Sequence, residues 1–142
     1  MVFDIDGVLS DATSRQHFLE RGHRDWAAFF DACGDDPLIE EVARLLELLD
    51  PKLAVVLLTG RPLRVQPQTL AWLGRYRLRW DLLVMRERTE RAPVTAYKRN
   101  VVADLRAHGF DLRLALEDDP TNRAMFVEEG VPCMYIHSGF YE

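Results

Sequence analysis

Long apolar runs are missing from this chain, and so are cysteine pairs, histidine clusters and glycine-rich phosphate loops. No stretch approaches the roughly 18 apolar residues that a membrane span needs, and no basic-then-apolar leader is recognisable. The expected location is therefore cytoplasmic, with no membrane contact. The only cysteines are Cys33 and Cys133, and they lack metal-ligand spacing. Both are expected as free thiols, which excludes a disulfide framework. His17, His23, His108 and His137 show no ligand spacing either. The absence of a Walker-type loop excludes a nucleotide-dependent kinase of that type. A calcium loop opening at Asp4 would want Gly and Glu where Leu9 and Arg15 stand.

What is present is the composition of an ordinary globular protein: 142 residues, 48% apolar and 29% charged. That length is expected to form one domain, residues 1–142, with a real core. The net charge of −5 is unevenly spread, since residues 61–99 hold ten basic side chains against Asp81, Glu87 and Glu90. Such asymmetry can mark a surface for a polyanion, or can be charge scattered over several faces.

Apolar runs alternate with helical patterns. Strands are expected at 1–5, 53–58, 82–85, 112–116 and 131–136. Helices are expected from Asp36-Pro37 (cap and first turn) to Leu49, over 64–73 with Gly74 as the stop, over 94–108, and over about 120–129. Residues 10–36 read as an insert with one or two short amphipathic helices. The alternation predicts an α/β fold, a doubly wound (Rossmann-like) parallel sheet of about five strands with a minimal insert.

Chemistry gathers at three strand tips. Asp4 and Asp6 flank the end of the first apolar run, and Gly7 turns the chain there. Two carboxylates so close are costly to hold without a cation or a proton between them. Thr59-Gly60-Arg61 ends the second run, and Glu117-Asp118-Asp119 ends the fourth. In a parallel sheet these tips face the same side, where ligands of open α/β sheets bind. Lys98, near a helix start, adds a cation. Each feature alone could be a solvated turn, a strand-ending hydroxyl or a surface lysine; together they are what phosphoryl transfer through an aspartyl-phosphate needs.

Asp4-Ile5-Asp6-Gly7-Val8, Thr59, Lys98 and Glu117-Asp118-Asp119, in this order over nearly the whole chain, resemble the four motifs of the haloacid dehalogenase (HAD) superfamily of phosphohydrolases. The resemblance implies Asp4 as nucleophile, Asp6 as general acid and base, Thr59 as a donor to a phosphoryl oxygen, and Lys98 as the neutralising cation. It implies Mg²⁺ held by Asp4, the main-chain carbonyl of Asp6 and Asp118, with Glu117 favoured over Asp119 as the assisting acid. The insert and Thr59-Gly60-Arg61-Pro62 are further similar to the phosphatase domain of polynucleotide kinase-phosphatases, which implies substrate contacts at Arg15, Gly60 and Arg61. The implied reaction removes a 3′-phosphate from a nucleic-acid end. The alternatives are a phosphatase of small phosphomonoesters such as nucleotides, with Trp26 or Trp72 stacking on a base, and a non-catalytic binding module of the same fold.

Overall fold

A computed structural model describes residues 1–20 and 22–141. Its centre is a five-stranded sheet in the order β3-β2-β1-β4-β5. The strands are β1 (Val2–Phe3), β2 (Val56–Pro62), β3 (Leu82–Arg86), β4 (Ala115–Glu117) and β5 (Cys133–Tyr135), and every pairing is parallel. The chain steps outward from β1 to β3, then returns past β1 to β4 and β5. The reversal lies between β1 and β4, the kind of crevice where open α/β sheets bind ligands. This is the doubly wound architecture expected from the strand–helix alternation.

The period-2 alternation of the strands divides the core. Val2, Val56, Leu58 and Ala115 face α4 (Val94–Ala107) and α5 (Pro120–Glu128). Phe3, Leu57 and Leu116 face α2 (Glu40–Leu48) and α3 (Gln66–Arg75). Each of these Val, Leu and Phe side chains, fully buried, contributes about 1.5–3 kcal/mol. The insert holds α1 (Trp26–Asp31) between two 3-10 turns, Thr13–Leu19 and Ala32–Asp35. The Asp25 carboxylate caps α1 by accepting from Ala28 N at 2.9 Å.

Several local expectations give way to tertiary contacts. Asp36 does not cap α2, which starts at Glu40 after Ile39 with no side-chain cap. The Asp36 carboxylate turns inward to Arg15 and Ser10 instead, a stronger interaction than a cap. Gly74 does not stop α3; the helix runs through it to Arg75 and the chain reverses at Arg77, φ 52°. The second strand continues past Leu58 to Pro62, with an irregular register against β3. Cys33 and Cys133 are free and sit in separate apolar clusters. Among the described residues no helix is long and apolar enough to cross a membrane.

Candidate active site

The register of the sheet brings the first acidic group together. Phe3 pairs with Leu116, so Asp4 and Glu117 follow side by side on the face covered by α4. Asp4 N donates to Leu116 O at 3.1 Å, and Asp4 Oδ1 accepts from Ile5 N at 2.8 Å. Lys98 reaches in from α4, its Nζ 3.2 Å from Asp4 Oδ1 and hydrogen-bonded to Glu117 Oε1. Asp118 completes the group: one oxygen each from Asp4, Glu117 and Asp118 lie within 4.8 Å of one another. All four side chains are buried.

Three carboxylates against one ammonium leave this group two negative charges in excess if all are ionised. Burial, and then Glu117, push Asp4 well above the ordinary carboxyl range, with Lys98 opposing. Burial likewise pushes Asp118 up to about 7, against the nearby Ser138 hydroxyl. Burial alone would lower Lys98, but Asp4 and Glu117 hold it above the ordinary lysine range. Neither oxygen of Asp118 makes a hydrogen bond of normal geometry. A buried carboxylate without partners is costly, and buried charges are paired or coordinate metals.

Gly7 makes room for that carboxylate. Its φ is +80°, and a Cβ there would lie 2.0 Å from Asp118 Oδ2. Only glycine satisfies both the turn and the close approach. Oxygen donors with unspent lone pairs, excess negative charge and a cradle without side chains suit a hard divalent cation such as Mg²⁺. Asp4, Glu117 and Asp118 are the carboxylates placed to hold it. Glu117 is also engaged by Lys98 and by Asp119 N at 3.3 Å, as Asp4 Oδ1 is by Ile5 N and Lys98. Asp119 lies outside the group and caps α5, accepting from Thr121 N at 2.8 Å.

A second charged group lies alongside, and it is closed on itself. Asp6 is held by arginines: its Oδ1 takes Arg15 at 2.6 Å and Arg61 at 2.7 Å. Arg15 also forks onto Asp36 at 2.8 and 2.6 Å and donates to Phe29 O at 2.9 Å, its guanidinium 4.4 Å from the Phe29 ring centre. Arg61 donates to Thr69 Oγ1 at 3.1 Å and Ser10 Oγ at 3.2 Å. Burial would raise Asp6, but Arg61 and then Arg15 hold it down at about 2. Two arginines meet two aspartates, and no net charge is left over.

The remaining expected residues fall around these groups. Arg15 and Arg61 are buried behind Asp6 and do not line the cleft that opens over Asp4. Gly60 does line it, while Thr59 is buried and accepts Arg61 N at 3.1 Å, which leaves its own O–H free to donate. Trp72 is fully buried, donating to Asp36 O at 2.7 Å, so of the two tryptophans only Trp26 faces the cleft. The basic segment 61–99 is divided: Arg64, Arg86 and Arg88 line the cleft, and others are engaged elsewhere. Arg61 and Lys98 are interior, Arg79 binds carbonyls of residues 49–53, and Arg99 pairs with Glu128 and Glu129. Asp36, Ser10 and Ser138 are the site residues that sequence reasoning missed. Asp36-Pro37 carried a strong cap signal that masked the first, and nothing local marks the serines.

A doubly wound sheet with this carboxylate–lysine group at its reversal point defines the phosphatase class of the HAD superfamily. Residues 1–141 match the family model described as the polynucleotide kinase PNKP phosphatase domain, and the chain belongs to that family. It is also similar to a chain of the Pnkp1/Rnl/Hen1 RNA repair complex, with 25% identity and a TM-score of 0.77. That match covers 95% of this chain and 41% of that one. A second structure, of a Pnkp1/Rnl/Hen1 complex, shares the fold with a TM-score of 0.76 at 23% identity, covering 96% of this chain and 44% of that one. The chain thus spans less than half the length of these solved relatives. No curated protein matches it significantly in sequence.

Proposed function

We propose that residues 1–142 act as a single Mg²⁺-dependent phosphatase domain that removes 3′-phosphates from polynucleotide ends through an aspartyl-phosphate on Asp4. The observation that carries this is the buried Asp118 carboxylate, without a hydrogen bond of normal geometry, beside Asp4 and Lys98 in a chain of the polynucleotide kinase phosphatase family. A Mg²⁺ held by Asp4, Asp118 and the main-chain carbonyl of Asp6 would offset the excess charge and let a phosphate dianion approach.

The protein's own residues then have distinct tasks. An oxygen of Asp4 attacks phosphorus, forming the Asp4–phosphate bond as the bond to the leaving oxygen breaks. Lys98 opposes the upward push of burial and Glu117 on Asp4, favouring its ionised form, and stays in place because Glu117 holds it. Thr59 offers its free O–H to a phosphoryl oxygen. Asp6 gives a proton to the leaving oxygen, then takes one from the water that releases phosphate and restores Asp4. With its carboxyl held at about 2, the resting Asp6 is ready for the second proton transfer; the first requires the grip of Arg15 and Arg61 to loosen. Those arginines act on substrate through Asp6.

The test compares phosphate release from a 3′-phosphorylated oligonucleotide, a 5′-phosphorylated one and an aryl phosphate. Mg²⁺-dependent turnover favouring the 3′-phosphate, lost in Asp4→Asn, is the expected result. Turnover confined to small esters would remove the polynucleotide assignment, and no turnover at all would leave a binding module.

A further inference from the structure

We infer that the face of Trp26 is a stacking platform for the base of the nucleotide whose phosphate sits at Asp4, so that the cleft reads a nucleotide without reading which base it carries. This inference rests on the phosphatase reading above and adds the part of the substrate that the catalytic group does not touch.

The cleft over Asp4 and Asp118 has a volume of about 1280 Å³, more than a phosphate alone would fill. Trp26 stands on its wall at the start of α1, 48% exposed. An indole half in water at the rim of a polar cleft leaves apolar surface uncovered, and a flat ligand would cover it. The ring is held by two aromatic neighbours that line the same cleft. It stacks on Phe30 at 5.9 Å and 27°, and meets Phe29 edge-on at 5.6 Å and 82°. Phe29 in turn carries Arg15, the residue that grips Asp6. The platform is therefore fastened to the reacting centre by packed contacts.

Charge on the cleft walls favours a base over a long phosphate track. Outside the two catalytic groups, four arginines and four carboxylates among the described residues line it. With the signs balanced, these wall residues carry no net positive charge to draw in a polyanion. Affinity beyond the terminal phosphate then has to come from stacking. Every base has a π-face, so stacking tolerates any sequence.

The experiment measures kcat/KM for two short oligonucleotides ending in a 3′-phosphate, one with a normal terminal base and one with a tetrahydrofuran abasic residue there. The wild type, Trp26→Ala and Trp26→Phe are compared, with thermal melting to check folding. The expected wild-type preference for the base-bearing end is roughly five- to a hundredfold. That preference should collapse toward one in Trp26→Ala and survive largely in Trp26→Phe, regardless of which base is used. Equal preference in Trp26→Ala and wild type, or no preference in the wild type, overturns the platform and leaves the phosphatase reading standing. No hydrolysis of either substrate by the wild type overturns the phosphatase reading, and the inference with it.

Discussion

Two buried charge groups sit side by side at the mouth of the sheet, and they are solved differently. Around Asp6, two arginines and two aspartates satisfy one another through paired hydrogen bonds. Around Asp4, three carboxylates share one lysine, and Asp118 has no hydrogen bond of normal geometry. Apart from Asp6, which is partly exposed to the cleft, the side chains of both groups are buried, so it is the balance of charge that distinguishes them. A neutral, fully bonded network rigidifies its surroundings. An unbalanced one keeps a place for something the chain itself does not supply.

The sharpest way to break the comparison is catalytic. Asp4→Asn should lower phosphate release by more than about a thousandfold, as losing a nucleophile does, while Mg²⁺ still shifts the melting temperature through Asp118. If the mutant kept wild-type turnover, Asp4 would not be the nucleophile.

Stability should respond with opposite signs in the two groups. Asp36→Asn leaves Arg15 short of its buried counter-charge and is expected to cost about 3–5 kcal/mol. Asp118→Asn, measured in chelator, removes an unpaired buried charge and is expected to raise stability by about 1 kcal/mol. Urea melts of both variants against wild type test this, and destabilisation of equal size in both would erase the distinction.

Acid–base behaviour sharpens it further. The Asp118 carboxyl moves from an ordinary 3.8 to about 7 in the folded protein. Between those values the folded state binds the extra proton, so stability without metal is fully present at low pH and is lost as pH rises toward 7. Asp6 moves the other way, from 3.8 to about 2, so its contribution is present above pH 4 and lost only as pH falls toward 2. Melting temperatures in chelator should therefore decline between pH 5 and 7.5, and the gain on adding Mg²⁺ should be larger at pH 7.5. A Mg²⁺ effect that does not vary with pH would count against the carboxylates as ligands.

The smallest effect belongs to Gly60. A Cβ there would meet Val94 Cγ1 at an ordinary 3.5 Å, and its φ is not positive, so Gly60→Ala should change stability by less than about 1 kcal/mol. Gly7→Ala, 2.0 Å from Asp118 Oδ2, should instead weaken the Mg²⁺-dependent shift. Parallel melts with and without Mg²⁺ separate the two glycines.

Much of this was legible in the chain. The strand tips at Asp4, Thr59 and Asp118 could be read because an apolar run followed by a carboxylate or hydroxyl is a local pattern, and parallel topology carries all such tips to one edge. Misreadings occurred where a local signal met a distant partner. Asp36 before Pro37 is a good cap by every nearby rule, but Arg15, 21 residues earlier, holds it more strongly. Arg15 and Arg61, implied by the resemblance as substrate contacts, are joined to the carboxylate of Asp6, a pairing that no local pattern announces.

Hydrophobic periodicity and turn chemistry were enough for the order of elements, the doubly wound class and the acids and hydroxyl that follow the apolar runs, because these depend on neighbours a few residues apart. Which carboxylate meets which cation, and which one is left without a partner, depends on strand register and on helices crossing the sheet. Asp4 beside Glu117 and Lys98 became an open, electronegative group, while Asp6 beside Arg15 and Arg61 became a closed one. Electrostatic energy falls off with distance in space and not with separation along the chain, so that division was made only when the chain packed.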